Sequence, residues 1–497
     1  MKRILVVTLL SFSAFCLKAQ EINATFKKAS TFKDDYTKTK ILAIGDDGNG
    51  GVIMARKYSS LMETDFGYCV EYYNDKLVKV KSYQAEGEED INLNGAIIDG
   101  TTVSYIEYTY DKKQKAFVVY ANQANVKDMK FSKKAIISIP LSRDKKSKMN
   151  MLTNTAKDAF LITVDINTGA GKEKEEMHKV YVINKKLDIL IETTLDKDFD
   201  KGEYEVMSME VSPDNSSAYL VGKTKIEKPA KNTPDYFYDL TKITNGNSKT
   251  AQTFKAGGHH VSQIRVATAK EKVVCVGIYS DEEEEWQKGL CYFAIEPSTL
   301  SITTSKQLPF TEDMLKLYND KKLKDKLRVF EGKDLFVTTN NDFIYTAEQF
   351  RQVFKGAGKD LKMYYNYGNI LSAKINNEGE LAWITTIEKY QFGNSVDNTY
   401  FSYIPMLKDD SLYIFVNGKV EKKDNFYVEG PTVPFGGLDF NVFRLDKNGT
   451  AEFKEILDTN KERTRILTTV GGILPGGSPV YFLGAIGKDK QAVKINL

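Results

Sequence analysis

Val261-Ser-Gln-Ile-Arg-Val-Ala267, Val273-Val-Cys-Val-Gly-Ile278, Leu290-Cys-Tyr-Phe-Ala-Ile295 and Leu300-Ser-Ile-Thr-Thr-Ser305 are four short runs separated by polar turns. Val273 to Val276 has no polar residue to place in water, so it reads as a strand covered on both faces. Four such runs in succession read as a four-stranded antiparallel sheet. A sheet of that kind cannot bury two apolar faces alone and must be stacked between others.

The same apolar core recurs along the chain. It is found at Val52-Ile53-Met54, Val103 to Ile106, Phe160-Leu161-Ile162, Ala218 to Val221, Leu335-Phe336-Val337, Leu412 to Val416 and Val480 to Leu483. From Val52 to Val480 the mean spacing is about 61 residues. Most of these runs are followed by a strand–turn–strand with Asn, Asp or Gly at the turn. Examples are Tyr73-Asn-Asp-Lys-Leu77 and Leu445-Asp-Lys-Asn-Gly449, and these residues accept the positive φ of a hairpin turn. The unit around Leu412 repeats the opening pattern with Phe401 to Met406, Leu412 to Val416, Phe440 to Leu445 and Ala451 to Ile456.

The last unit has only three strands: Ile466 to Thr469, Val480 to Leu483 and Ala492 to Ile495. A spare strand-like stretch, Ala24 to Phe32, precedes the first full unit near Lys40. The expected fold is therefore an all-β propeller of eight four-stranded blades, with the N-terminal strand completing the last. Seven blades is the alternative count, and two β-sandwich domains is the competing architecture, because regular turns suit both.

Residues 1–19 read as a signal peptide: Lys2 and Arg3, an apolar run from Ile4 to Cys16, then Leu17 and Ala19 at the cleavage positions. Residues 20–497 form the single propeller domain. Cleavage removes Lys2, Arg3 and Lys18 from 70 basic residues, leaving as many as the 67 acidic ones. A neutral chain has no global field to draw in nucleic acid or anionic lipid. No later apolar run reaches the roughly 18 residues that a membrane helix needs. The expected location is the periplasm, with secretion or the cell surface as the alternative. Cys69, Cys275 and Cys291 are too few for a disulfide framework. Cys275 and Cys291 flank one hairpin, where a bridge competes with the plainer reading of free, packed thiols.

Two stretches carry helical signals. Thr311 caps an expected helix near 311–327 that presents Lys321, Lys322, Lys324 and Lys326. A shorter helix is expected over 346–355, with Phe350, Val353 and Phe354 on one side. Insertions on a propeller face either dock partners or pack on their own blade. The candidate contact residues are these four lysines, Phe350, Phe354, and Glu284 and Trp286 at an acidic hairpin tip. A solvated tip is the default for Asp281 to Glu285. The loop from Val428 to Leu438 is long for a hairpin and is expected to cover one face.

Motifs for chemistry are sparse. Three histidines limit metal and acid–base sites, and the adjacent His259 and His260 would point to opposite faces of a strand. Asp46-Asp-Gly-Asn-Gly50 lacks the spacing of a calcium loop and reads as a turn. No HExxH, CxxC, Walker or G-x-S-x-G motif is present, so no catalytic residue, metal or cofactor is assigned.

Leu371-Ser-Ala-Lys-Ile-Asn-Asn-Glu-Gly379-Glu-Leu-Ala-Trp383 resembles the repeat of tryptophan-docking propellers, in which Gly is followed by Trp four residues on. Gly449 to Phe453 keeps the spacing with Phe. The resemblance implies fold only, since the quinone-cofactor residues of that family have no counterpart. Ala19-Gln20 and the Lys-, Asn- and Tyr-rich strands also resemble exported propeller-like proteins of bacteria with type 9 secretion. That resemblance implies an envelope protein, with an accessory or plug of the translocon as one specific form. The functional expectation is a non-catalytic scaffold docking a protein partner in an envelope complex. The alternatives are a carbohydrate-active hydrolase and a glycan or small-ligand binder.

Overall fold

The computed structural model describes residues 22–34, 38–59, 66–87, 91–141, 147–167, 176–195, 204–226, 236–250, 254–270, 272–280, 287–312, 314, 329–356, 361–394, 397–422, 426–429, 439–468, 471–474, 477–486 and 489–497. They form eight sheets in sequence order, antiparallel apart from one strand pair in the sixth, spanning 38–86, 92–140, 148–194, 204–250, 260–309, 329–394, 403–457 and 465–496. These are called sheets 1 to 8. The opening stretch of sequence is sheet 5, with strands His260–Ala269, Lys272–Ser280, Gln287–Ile295 and Ile302–Pro309.

The continuous apolar runs are explained by which side each residue faces. In Lys272–Ser280, Val273 and Cys275 pack into a core shared with sheet 4. Val274, Val276 and Ile278 pack into one shared with sheet 6. The period of two is present, but both phases are apolar because both faces are covered. The described residues form eight such cores, one between each consecutive pair of sheets. The eighth joins Leu467, Tyr481 and Leu483 of sheet 8 to Ile41, Val52, Met54 and Tyr73 of sheet 1. A cyclic set of shared cores between radially repeated sheets is β-propeller architecture.

Thr25–Lys28 pairs with the C-terminal strand Asp489–Asn496, Thr25 opposite Asn496 and Lys28 opposite Val493. Phe32 and Lys33 pair further along the same strand, opposite Lys490 and Asp489. Asp34 then seals the seam between sheets 8 and 1. Its Oδ2 lies 2.8 Å from Lys490 Nζ and 3.1 Å from an Arg56 nitrogen. Arg56 also holds Glu71 through two nitrogens, at 3.1 and 3.2 Å. Asp34, Arg56 and Glu71 side chains are all at most 5% exposed.

Sheet 6 departs from the rest. Its strands Phe343–Lys355, Lys362–Ile375 and Leu381–Asn394 have 13, 14 and 14 residues, against nine for its inner strand Val329–Val337. They project past that strand as a ribbon. The helix expected over 346–355 is therefore a strand, a correction. Phe350 pairs with Tyr367 and Phe354 with Met363 across the ladder, and the cross-strand aromatic contacts outweigh the helical spacing of Phe350, Val353 and Phe354. A second correction concerns the repeat. Leu335 to Val337 is the innermost strand of its sheet, whereas the other runs mark second strands.

Sheet 6 also takes two strands from the next unit. Lys419–Lys422 and Phe426–Glu429 form a hairpin, and the latter pairs in parallel with Leu381–Asn394, Glu388 opposite Tyr427. The start of the expected covering loop, Val428, thus belongs to a sheet, and 430–438 lie outside the described residues. Trp383 donates from Nε1 to Lys447 O at 3.0 Å. A Cβ at Gly449 would stand 2.7 Å from the Trp383 ring, at a φ of +80°. The tryptophan of sheet 6 thus docks on the turn of sheet 7. No helix among the described residues is long and apolar enough to cross a membrane.

Removing Asp34 leaves Arg56 and Lys490 buried without their shared counter-charge. Asp34→Ala is expected to cost about 3 kcal/mol of stability. Lys28→Ala removes only the half-exposed ion pair with Glu462 and is expected to cost under about 1 kcal/mol. Urea denaturation of both variants measures the contrast.

Candidate functional site

The innermost strands of the eight sheets line a central channel, which opens into three cavities. One of about 410 Å³ lies against Ile41 to Gly48, Ala96 to Gly100 and Gly471 to Ile473. One of about 490 Å³ is walled by Met207 to Met209, Arg265, Lys333 to Val337 and Pro405 to Leu407. The third, about 530 Å³, lies between sheets 6, 7 and 8 at the base of the ribbon. Lys157, from a turn of sheet 3, lines all three. Its φ of +56° and its long stem carry its Nζ across to Ile473 O of sheet 8, at 3.0 Å. Burial lowers its pKa, with Asp334 of sheet 6 pulling the other way.

The third cavity has a buried polar floor. Glu348 Oε1 lies 2.7 Å from Lys389 Nζ, and Oε2 lies 2.6 Å from Lys333 Nζ. Glu348 and Lys389 are essentially without solvent contact. Ser402 donates to Glu348 Oε2 at 2.6 Å and accepts from Lys333. Lys389 also donates to Gln391 Oε1, which accepts from Ser402 N–H at 2.7 Å as well. Those bonds hold Ser402 at a φ of +65°, a conformation unusual for a residue with a side chain. The Ser402 hydroxyl thereby ties Glu348 and Lys333 of sheet 6 to the entry of sheet 7. Lys333 also lies 4.3 Å from the Tyr403 ring centroid.

Burial alone would raise the Glu348 carboxyl. The Lys333 and Lys389 ammoniums and their hydrogen bonds outweigh it and hold the group below its ordinary value. Asp334 behaves in the opposite way: burial pushes it up, and Lys333, Arg265 and Lys157 only partly oppose this. Arg265 spends its guanidinium on backbone, donating to Lys333 O at 3.0 Å and to Ile264 O at 3.0 Å.

No protein-family profile and no curated protein matches this chain. Solved structures do resemble it. The Chaetomium thermophilum Sqt1 bound to the N-terminus of the ribosomal protein L10 covers 93% of this chain and 98% of its own, at 11% identity and a TM-score of 0.43. The WD40 domain of SCAP from fission yeast covers 95% and 94%, at 8% identity and 0.39. The β-propeller domain of the Trilobed protease from Pyrococcus furiosus covers 88% and 96%, at 10% identity and 0.35. The fold assignment rests on the sheets and shared cores of this chain, and likenesses this distant assign no function.

Among the residues expected from sequence to meet a partner, Phe350 stands at the cavity wall and Phe354 near the ribbon tip. Lys321, Lys322, Lys324, Lys326, Glu284 and Trp286 lie outside the described residues. Thr311 Oγ1 accepts from the Met314 N–H at 3.3 Å, as a helix cap would. Cys275 and Cys291 are free and buried, with Cys291 opposite Gly277 and Cys275 opposite Phe293. Burial pushes the Cys291 thiol up to about 12 and Cys275 well above its ordinary value. His260 meets Tyr236 OH at 3.2 Å, and His178 meets Asp165 at 2.5 Å. The loop at Asp46 is a hairpin turn as expected, with Asp47 Oδ1 accepting from the Asn49 and Gly51 N–H groups.

Glu348 supplies a pH test. A carboxyl depressed in the folded state contributes stability that is full above its unfolded value of 4.5 and is lost as pH falls through the lower folded value. Glu348→Gln is expected to cost about 3 kcal/mol near pH 7, because Lys389 loses its buried counter-charge. The deficit should shrink only as pH falls below 4.5 and through the lower folded value, where the native carboxyl takes up its proton. Urea midpoints followed from neutral pH into the acid range measure it.

Proposed function

We propose that this chain is an exported, non-catalytic scaffold of the bacterial cell envelope that docks a protein partner through the ribbon of sheet 6. The observation that carries the reading is the pair Phe354 and Leu361, 61% and 53% exposed, flanking the ribbon tip. Arg351, Gln352, Lys355 and Lys362 surround them and are exposed too. An apolar pair with a polar rim is the layout of an interaction patch rather than of a solvated turn. The inner-strand ladder stops at Val329 opposite Phe350.

The signal-like residues 1–19 and the balanced charge beyond them support export to the periplasm. A place beside a type 9 secretion complex is the narrower form of this reading, supported by the resemblance in sequence alone. Affinity capture with cross-linking from the native envelope tests the scaffold role. One reproducible partner is expected. Phe354→Lys with Leu361→Lys should weaken its retention by roughly tenfold or more, while stability changes by no more than about 0.5 kcal/mol per site. A chain that captures no partner reproducibly, or one retained equally by the variant, overturns the proposal.

A further inference from the structure

The ribbon of sheet 6 has two unlike faces. Its ladder sets Arg351 opposite Asn366, Val353 opposite Tyr364 and Lys355 opposite Lys362, and side chains alternate along a strand. Arg351, Lys355 and Lys362 therefore share one face, with Phe392, which lies opposite Asn366. Phe350, Phe354, Met363 and Tyr367 share the other. Arg351, Lys355 and Lys362 are all exposed. Residues 350–367 carry Arg351, Lys355, Lys359 and Lys362 against the single carboxylate of Asp360. On the third strand the first carboxylate is Glu388, back at the base of the ribbon opposite Tyr427.

Lys355 and Lys362 are the informative pair. Like charges directly opposite in an antiparallel ladder repel and weaken it. The fold of the ribbon gains nothing from that arrangement. Lys355 is also held in place: its Nζ stands 4.5 Å from the Phe392 ring centroid and 5.3 Å from that of Tyr364. Those two rings stack with centroids 5.2 Å apart and 3° between their planes. A cation seated on aromatic faces loses little further freedom when it meets an anion. Local repulsion at fixed positions is the mark of a surface whose counter-charge comes from outside. The cations and Phe354 lie on opposite faces, so a flat lipid surface lying along either face meets only one of them. The walls of a protein cleft meet both.

We propose that the partner of the ribbon is an acidic polypeptide surface, whose carboxylates meet Arg351, Lys355 and Lys362 while its apolar side chains meet Phe354 and Leu361. This inference rests on the docking reading above and names the chemistry of the partner.

The experiment is titration of the full mature chain into labelled probes, followed by fluorescence anisotropy. The probes are an acetylated, amidated peptide of glutamates interspersed with phenylalanine and leucine, the same peptide with glutamine for every glutamate, and vesicles of phosphatidylglycerol and phosphatidylethanolamine. The acidic peptide is expected to bind saturably at about 20 mM salt and to lose roughly tenfold in affinity at about 200 mM. Its glutamine counterpart should bind about tenfold more weakly or not at all. Lys362→Glu should weaken binding by a similar factor. It also sets an acid opposite Lys355, so its urea midpoint should not fall. Lys112→Glu with Lys113→Glu, at an exposed turn of sheet 2, should bind as the unaltered chain does.

The proposal is overturned if the acidic peptide binds more weakly than about 1 mM, if the glutamine peptide binds as well, or if Lys362→Glu binds unchanged. Vesicles held more tightly than the acidic peptide reassign the patch to a lipid surface and also overturn it. The peptide comparison uses the unaltered chain and decides whatever the variant does. Peptide binding without any captured envelope partner leaves this inference standing and the docking reading fallen. A captured partner that the Lys362→Glu chain retains equally does the reverse.

Discussion

A four-stranded sheet whose central strands are apolar in both phases has two faces to cover and only neighbours of its own kind to cover them. That constraint runs through the whole molecule. Val273 and Cys275 serve one interface and Val274, Val276 and Ile278 the next, so every sheet is a filling between two others. A linear stack would leave two apolar faces in water. The core between sheet 8 and sheet 1 removes both ends at once, and the pairing of Thr25–Lys28 with the last strand removes an exposed edge from sheet 8. The Asp34, Arg56 and Lys490 cluster lies on that seam. It is buried because the seam is buried, and its charges are tolerable because each has a partner.

Much of this fold was legible in the chain, and the places where it was not are instructive. Sheet 5 and sheet 7 were readable strand by strand, because their apolar runs are bounded by Asn, Asp and Gly turns. The closing N-terminal strand was readable because the last unit comes up one strand short. Residues 346–355 were not readable. Thr-Ala-Glu-Gln-Phe-Arg-Gln-Val-Phe354 carries good helix formers, and its apolar residues fall at helical spacing. What overrides them is a tertiary partner, the Tyr-rich strand Lys362–Ile375, which no local window contains. That misreading also concealed Glu348, which becomes a candidate for the channel floor only once its strand is recognised.

The candidate site was illegible for a geometric reason. Lys157, Arg265, Lys333 and Ser402 come from four units, and each reads locally as an ordinary turn or strand residue. They converge because innermost strands of a propeller share one axis, so residues separated by one or more repeats become neighbours. Lys389 and Gln391 did leave a trace. They are polar at alternate positions of one strand, on a face where the neighbouring strand is apolar. Alternating polarity toward a core is worth noticing in any strand, because such residues are retained only where partners wait for them.

The hairpin 419–429 that sheet 6 takes from the following unit has a mechanical consequence. The strand Phe426–Glu429 lies along Leu381–Asn394 in parallel, while its chain returns to the central strands of sheet 7. A pull on the ribbon tip along its strands therefore does not peel sheet 6 away by itself. The load passes through this ladder in shear and is divided between two sheets, with Trp383 bearing on the turn at Gly449. A tether attached at the ribbon would find sheets 6 and 7 responding as one rigid lever.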